Sequence, residues 1–230
     1  SLDDYSVKFD KVSKHLAYGD SFLTNLTIKT PIKVNYSLTE LYAKAMAPYK
    51  LLYKDNFLVY SPESFVKIAG GKIYTYPMKG TIDASIPNAA EVILNDQKEF
   101  AEHVTIVDLL RNDLSIVASN VYVSNFRYVD NIKTQERSLL QVSSQIEGDL
   151  PVNYLDQLGT LLWSLLPAGS VSGAPKRKTL EIIREAEGEV RGYYTGVMGC
   201  FDGENLDSAV MIRYIELKDN QFYYRSGGGI

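Results

Sequence analysis

Residues 193–224 read as three strands separated by Asp202-Gly203 and Asp219-Asn220, and this stretch limits the fold more than any other. Both dipeptides accept the positive backbone angles of tight hairpin turns, so the strands they join must run antiparallel. A doubly wound sheet, which needs a crossover between successive strands, does not suit such a region.

The rest of the chain repeats this grouping. Val7, Val12 and Leu16 recur near helical spacing across residues 5–18, and Phe22, Thr24, Leu26 and Ile28 alternate across 21–29 as in a strand. Residues 38–49 read as a helix, followed by strands at 51–60, 65–68 and 72–76 between the breaks Ser61-Pro62 and Gly70-Gly71. Residues 89–114 read as one long helix or two consecutive ones. Strands follow at 121–129 and 139–146, then helices at 154–166 and 175–186. Strands in groups, not in strict alternation with helices, predict an α+β fold: antiparallel β-sheets, sandwich-like, with helices packed outside. A length of 230 residues supports one domain with a sizeable core. The chain has no initiating Met and stops on Gly227-Gly228-Gly229-Ile230, a glycine run suited to the middle of a site. The single domain 1–230 is therefore expected to be truncated at both ends.

Composition narrows the partners. A net charge of -4 without a Lys/Arg cluster argues against nucleic acid or an anionic membrane and leaves a small molecule as the default ligand. Cys200 is the single cysteine, so no intramolecular disulfide and no Cys/His zinc cluster is available. No apolar run has the length of a membrane span, and residues 1–10 lack the features of a signal peptide. A reducing, cytoplasmic setting is the expectation.

Chemistry concentrates in a few segments. Residues 166–176, which include Gly169, Ser170, Ser172, Gly173 and Ala174, run through Pro175 into a predicted helix. Glycines allow close backbone approach, and free N–H groups at a helix start can seat a carboxylate or phosphate; a plain capped loop is the alternative. The spacing is not that of a Walker loop. Ser226-Gly227-Gly228-Gly229 forms a second glycine cluster after a strand, and Arg213 lies in the apolar run 210–215, where a buried guanidinium needs a carboxylate, either a ligand's or a structural one. Lys79, in Pro77-Met78-Lys79-Gly80-Thr81, ends a predicted strand; a desolvated lysine can act as a nucleophile, although most lysines are solvated surface charges. Glu63 sits at a turn, able to move a proton if a ligand is near. Glu102 shares a helical row with Ile106 and Leu109 and suits Mg2+, which takes one or two carboxylates together with ligand oxygens and water. Each reading, taken alone, competes with an ordinary structural role.

In order along the chain, Gly19-Asp20, Asn25-Leu26, Ser61-Pro62-Glu63, Pro77-Met78-Lys79-Gly80-Thr81, residues 101–113, residues 169–176, Arg191-Gly192-Tyr193-Tyr194-Thr195-Gly196, Ile212-Arg213 and Gly227-Gly228-Gly229-Ile230 resemble the chorismate-binding domain of anthranilate, aminodeoxychorismate, isochorismate and salicylate synthases. The resemblance covers nearly the whole chain. Within the family, a lysine at the position of Lys79 marks the aminodeoxychorismate branch, whose component I converts chorismate and ammonia to 4-amino-4-deoxychorismate for p-aminobenzoate and folate. The resemblance implies that Lys79 is the nucleophile, Glu63 the acid/base and Glu102 a Mg2+ ligand. It also implies substrate contacts from Gly169, Ser170, Ser172, Gly173, Ala174, Tyr194, Arg213, Gly227 and Gly228. A glutamine amidotransferase subunit would supply ammonia, and a downstream aminodeoxychorismate lyase would use the product.

Some positions depart from the family pattern. Leu23 stands where Gln is usual, or a water-activating Lys in the isochorismate branch, and Gln141 stands where the family has an active-site His. An acidic segment with further Mg2+ ligands is expected after the glycine run and is not among the 230 residues. Anthranilate synthase component I is the alternative enzyme, and an inactive chorismate-binding or scaffold subunit is the alternative of another class.

Overall fold

The computed structural model describes residues 2–133 and 137–230. The chain begins with helix α1 (Leu2–Tyr18), strand β1 (Leu23–Ile32) and helix α2 (Leu38–Lys44). Five strands follow: β2 (Tyr49–Tyr53), β3 (Phe57–Ser61), β4 (Ser64–Ala69), β5 (Lys72–Thr75) and β6 (Met78–Asp83). Helices α3 (Ala89–Asn95) and α4 (Gln97–Leu114) precede the long strands β7 (Ser119–Lys133) and β8 (Ser138–Asp149). Then come α5 (Leu158–Ser164), the single turn α6 (Gly169–Ser172), the two-residue β9 (Gly173–Ala174) and α7 (Lys176–Glu187). Strands β10 (Val197–Phe201), β11 (Leu206–Val210), β12 (Tyr214–Lys218) and β13 (Gln221–Gly229) complete the chain. The fold is α+β with antiparallel sheets, as the grouping of strands predicts. No described helix is long and apolar enough to cross a membrane.

The chain divides into two compact units, one of Ser1–Phe65, Pro167–Cys200 and Ser208–Ile230, the other of Val66–Leu166 and Phe201–Asp207. The first unit holds a six-stranded sheet in the order β2-β3-β12-β13-β1-β9. Its longest pairing runs from Asn25 opposite Gly229 to Ile32 opposite Phe222. Helices α1 and α7 cover β1, where Val12, Leu26, Ile182 and Ala186 form a buried cluster flanked by Tyr5, Leu16 and Ile230. A second cluster joins Phe57, Val59, Tyr194, Met211 and Tyr214, with the Phe57 and Tyr214 rings stacked at 5.0 Å. Each such side chain removed from water contributes about 1.5–3 kcal/mol, which outweighs the modest intrinsic preferences of short strands.

In the second unit the strands follow the order β4-β5-β8-β6, and β7 pairs with the long β8. Helices α3 and α4 lie against β6 and β8. Asp96 separates the two helices, with extended backbone and its carboxylate accepting from Glu99 N. Residues 89–114 thus form two helices, as one of the two sequence readings has it. The face of α4 carrying His103, Ile106, Val107 and Leu114 is buried.

Several boundaries differ from the sequence reading. The helix expected at 38–49 stops at Lys44, because Ala45 is extended and Tyr49 already belongs to a strand. Residues 51–60 lie in two strands, not one, joined by a turn at Lys54, whose φ is +49°. Residues 154–166 begin as a 3-10 turn before α5. Residues 193–224 hold four strands, not three. Asp219 and Asn220 turn as expected with φ of +51° and +59°, but a further break falls at Arg213, with φ of +53°.

Candidate functional site

Lys79 lies within β6 and does not end a strand. Met78 pairs with Ser143 and Thr81 with Gln141, so β6 carries one residue more than β8 across this interval. Such a bulge re-aims side chains, and Gly80, with φ of +88°, supplies the backbone angle it needs. A Cβ at Gly80 would stand 3.2 Å from Glu99 Oε2 and 3.3 Å from Ile93 Cδ1, so α3 and α4 press on the bulge as well. The Lys79 ammonium comes 3.6 Å from Glu102 Oε2, and Lys98 reaches Glu102 Oε1 at the same distance. Lys79 and Glu102 are thus brought together, each about a third exposed or less.

His103, next to Glu102, is fully buried, and its Nε2 lies 2.7 Å from Ser144 Oγ. Burial and the nearby Arg127 push its pKa down to about 4, opposed by the Lys79 main chain, so the ring is neutral near pH 7. Ser144 also receives Arg127 N and donates its own N–H to Pro77 O, tying β8 to the segment that leads into Lys79. This support was not legible in the sequence: a lone His on an amphipathic helix carries no pattern of its own.

The other named residues belong to the first unit. Glu63 is half-buried on the turn between β3 and β4. Its N–H donates to Ser61 Oγ, and its carbonyl accepts from Ser61 Oγ and Val210 N. Residues 169–174 form not a loop but a helical turn followed by a strand that pairs Gly173 with Thr24 and Ala174 with Leu23. A side chain at Gly173 is impossible without rearrangement, since a Cβ would lie 1.9 Å from Leu23 O. Ser172 is buried and donates its hydroxyl to Ala168 O at 2.9 Å, so that proton is committed inside the turn. Gly169 is buried, whereas Ser170 and Ala174 are half-buried.

Gly227 and Gly228 lie inside β13, not after it, opposite Thr27 and Leu26, and both are exposed. A Cβ at Gly227 would meet Asn25 Oδ1 at 2.7 Å and the Tyr194 hydroxyl at 3.3 Å, which places these three residues together. Space beside Gly228 is open. Tyr194 is buried, and burial raises its pKa to about 12, so it stays a neutral phenol. Arg213 is neither on a strand nor buried: it is exposed in the break before β12. Because Tyr214 pairs with Arg225, Arg213 stands toward the glycine end of β13. Among the described residues its guanidinium meets no carboxylate at ion-pair distance. The buried arginine of this sheet is Arg225, paired with Glu216 at 3.3 Å.

No group of three or more His, Cys, Asp or Glu among the described residues could hold a metal ion. That excludes an all-protein cage there, but Mg2+ commonly takes a single carboxylate and completes its shell with substrate oxygens and water. Glu102 has the right donor chemistry, and both neighbouring ammonium groups stand beyond hydrogen-bonding distance.

The chorismate binding enzyme family matches the chain over residues 1–230. An uncharacterized PabA-like protein of Pasteurella multocida is 55% identical over 226 residues, covering 98% of this chain and 70% of that protein. Anthranilate synthase component 1 of Acetivibrio thermocellus is 33% identical over 247 residues, and aminodeoxychorismate synthase component 1 of Bacillus subtilis 30% over 243. These matches cover 100% and 99% of this chain but 48% and 50% of those two synthases, so the chain spans about half their length. The crystal structure of anthranilate synthase component I from Streptococcus pneumoniae superposes with a TM-score of 0.82 at 28% identity, covering all of this chain and 53% of that one. With the family matched from end to end, the chain belongs to the chorismate-binding enzymes.

Proposed function

We propose that this protein aminates chorismate at C4, forming 4-amino-4-deoxychorismate on the route to p-aminobenzoate and folate, as an aminodeoxychorismate synthase component I. The observation that carries the reading is Lys79, turned by a strand bulge toward Glu102 and only 27% exposed at its side chain. A neutral lysine amine can split a difficult substitution into two easier ones. In the chemistry assigned, the Lys79 amine bonds to C2, the ring double bonds shift, and the C4 hydroxyl leaves as water with a proton from Glu63. Ammonia then bonds to C4, the double bonds shift back, the lysine is expelled from C2 as the neutral amine, and the C4 ammonium returns a proton to Glu63. Chorismate and ammonia thus give 4-amino-4-deoxychorismate and water. Arg213 and Tyr194, with the main chain at Gly173 and Gly228, hold the substrate carboxylates. Mg2+ bound by Glu102 would anchor the anionic substrate and polarise its oxygens. A glutamine amidotransferase partner supplies the ammonia, and a separate lyase releases p-aminobenzoate.

Incubation with chorismate and Mg2+ but no ammonia should leave a mass-detectable adduct on the peptide containing Lys79, absent from Lys79→Ala. No adduct, together with full amination by Lys79→Ala, would sink the reading. The match to anthranilate synthase component 1 supports a second reading, anthranilate formation. Pyruvate released from chorismate and ammonium without added lyase would favour it. Leu23, apolar and paired with Ala174, and Gln141, opposite Thr81 beside the bulge, support a third, an inactive chorismate-binding subunit. Binding without turnover would favour that one.

A further inference from the structure

Glu187 and Arg191 form a buried ion pair that no step above uses, their side chains 1% and 15% exposed. Arg191 Nε donates to Glu187 Oε2 at 3.0 Å and Nη2 to Oε1 at 2.6 Å. Its Nη1 donates to Val171 O at 2.7 Å, and Nη2 also donates to Asn25 O at 2.7 Å. Glu187 Oε1 accepts Thr27 N at 2.8 Å, and the Arg191 carbonyl accepts Tyr194 N at 3.1 Å. The guanidinium therefore joins the end of α7, the α6 turn and β1 to its own segment, in which the Arg191 main chain holds Tyr194 N. Val171 lies within residues 169–174, and Asn25 is the residue whose side chain abuts Gly227. The ties to Val171, Asn25 and Tyr194 thus lead to or beside segments assigned to the substrate, although neither charge of the pair is so assigned.

A desolvated ion pair is a costly way to add stability alone, since apolar residues of similar volume often do as well. Its planar, divergent donors do what an apolar residue cannot: they set the relative position of several carbonyl-bearing segments. We infer that Arg191, oriented by Glu187, is the positioning residue that holds residues 169–174, Asn25 beside Gly227, and Tyr194 in register for the chorismate carboxylates; this rests on the reading under Proposed function. A cavity of about 220 Å³ lined by Val171, Ser172, Glu187, Arg191 and Thr195 lies beside the pair. Free guanidinium can therefore reach the space that a truncated side chain leaves.

Calorimetric titration with chorismate and Mg2+ tests this on the intact protein. Arg191→Ala should bind at least tenfold more weakly while keeping the wild-type circular dichroism. Millimolar guanidinium should restore at least a third of the lost affinity, and Arg191→Lys should not, because one ammonium cannot reach all four acceptors. Folded Arg191→Ala with affinity within twofold of wild type would overturn the inference. If Arg191→Ala does not fold, Glu187→Gln serves in its place: it keeps the volume and one oxygen for Thr27 N. It should lose at least threefold, and unchanged affinity would overturn the inference equally. Wild type that fails to bind chorismate would overturn the functional reading and this inference with it, whereas wild-type binding with unaltered variants overturns this inference alone.

Discussion

Arg213 adopts a backbone angle that a non-glycine residue visits rarely, with φ of +53°, and leaves its guanidinium exposed. Strained residues without a structural partner are drawn disproportionately from ligand sites. Its planar fork matches a carboxylate, so Arg213→Lys should cost about 2 kcal/mol in chorismate affinity, the scale of charge-assisted hydrogen bonds, with little change in stability. A variant that loses stability but keeps affinity would mark a structural arginine. Glu102 faces a different test, because it is the carboxylate assigned to Mg2+ and it meets two ammonium groups. Glu102→Ala should raise the Mg2+ concentration needed for half-maximal activity several-fold, in line with losing one of few hard ligands. A titration curve superimposable on that of the wild type would remove Glu102 from the metal's shell. The types of these residues were readable from the chain; the exposure of Arg213 was not, because a run of apolar neighbours says nothing about where a strand breaks.

At the scale of elements, the segment 169–174 shows how glycine lets a helical turn become a strand. Gly173 has φ of +136° and lies so close to Leu23 O that β9 can pair with β1 only if position 173 has no side chain. Gly173→Ala should therefore destabilise the protein by roughly 3 kcal/mol, combining backbone strain with overpacking. A urea midpoint equal to that of the wild type would show that β1 and β9 can part at no cost. The glycines in 166–176 were legible as a site of close approach. That they approach Leu23 and Thr24, some 150 residues away in the chain, was not, because no local rule couples a loop to a distant strand. The β6 bulge is a similar case: Gly80 was visible, yet the extra residue exists only relative to β8.

For the whole molecule, acid is the weak side. His103 is neutral in the fold with a pKa near 4, below its ordinary 6.5, so the stability it carries is complete above pH 6.5 and is lost as pH falls toward 4. At about 1.4 kcal/mol per unit, the loss is roughly 3 kcal/mol. Glu147, hydrogen-bonded by Tyr122 and Lys72 and held at about 2, adds a second loss that begins below its ordinary 4.5. His15, raised by Asp20, works the other way: its contribution is present below 6.5 and disappears as pH rises through its folded value. Urea midpoints should fall from pH 6.5 to 4, and His103→Gln should flatten that fall; an unchanged slope would relocate the acid sensitivity. Sequence by itself determined the class of fold, the order of its longer helices and strand groups, and the family, because hydrophobic period, turn dipeptides and motif order are properties of the chain alone. Tertiary structure alone decided that Lys79 faces Glu102, that Arg213 is exposed while Arg225 is buried, and that Arg191 and Glu187 tie four segments. Those facts depend on strand register and on which distant carbonyls come within hydrogen-bonding reach, and both are set when the sheets close, not by neighbours along the chain.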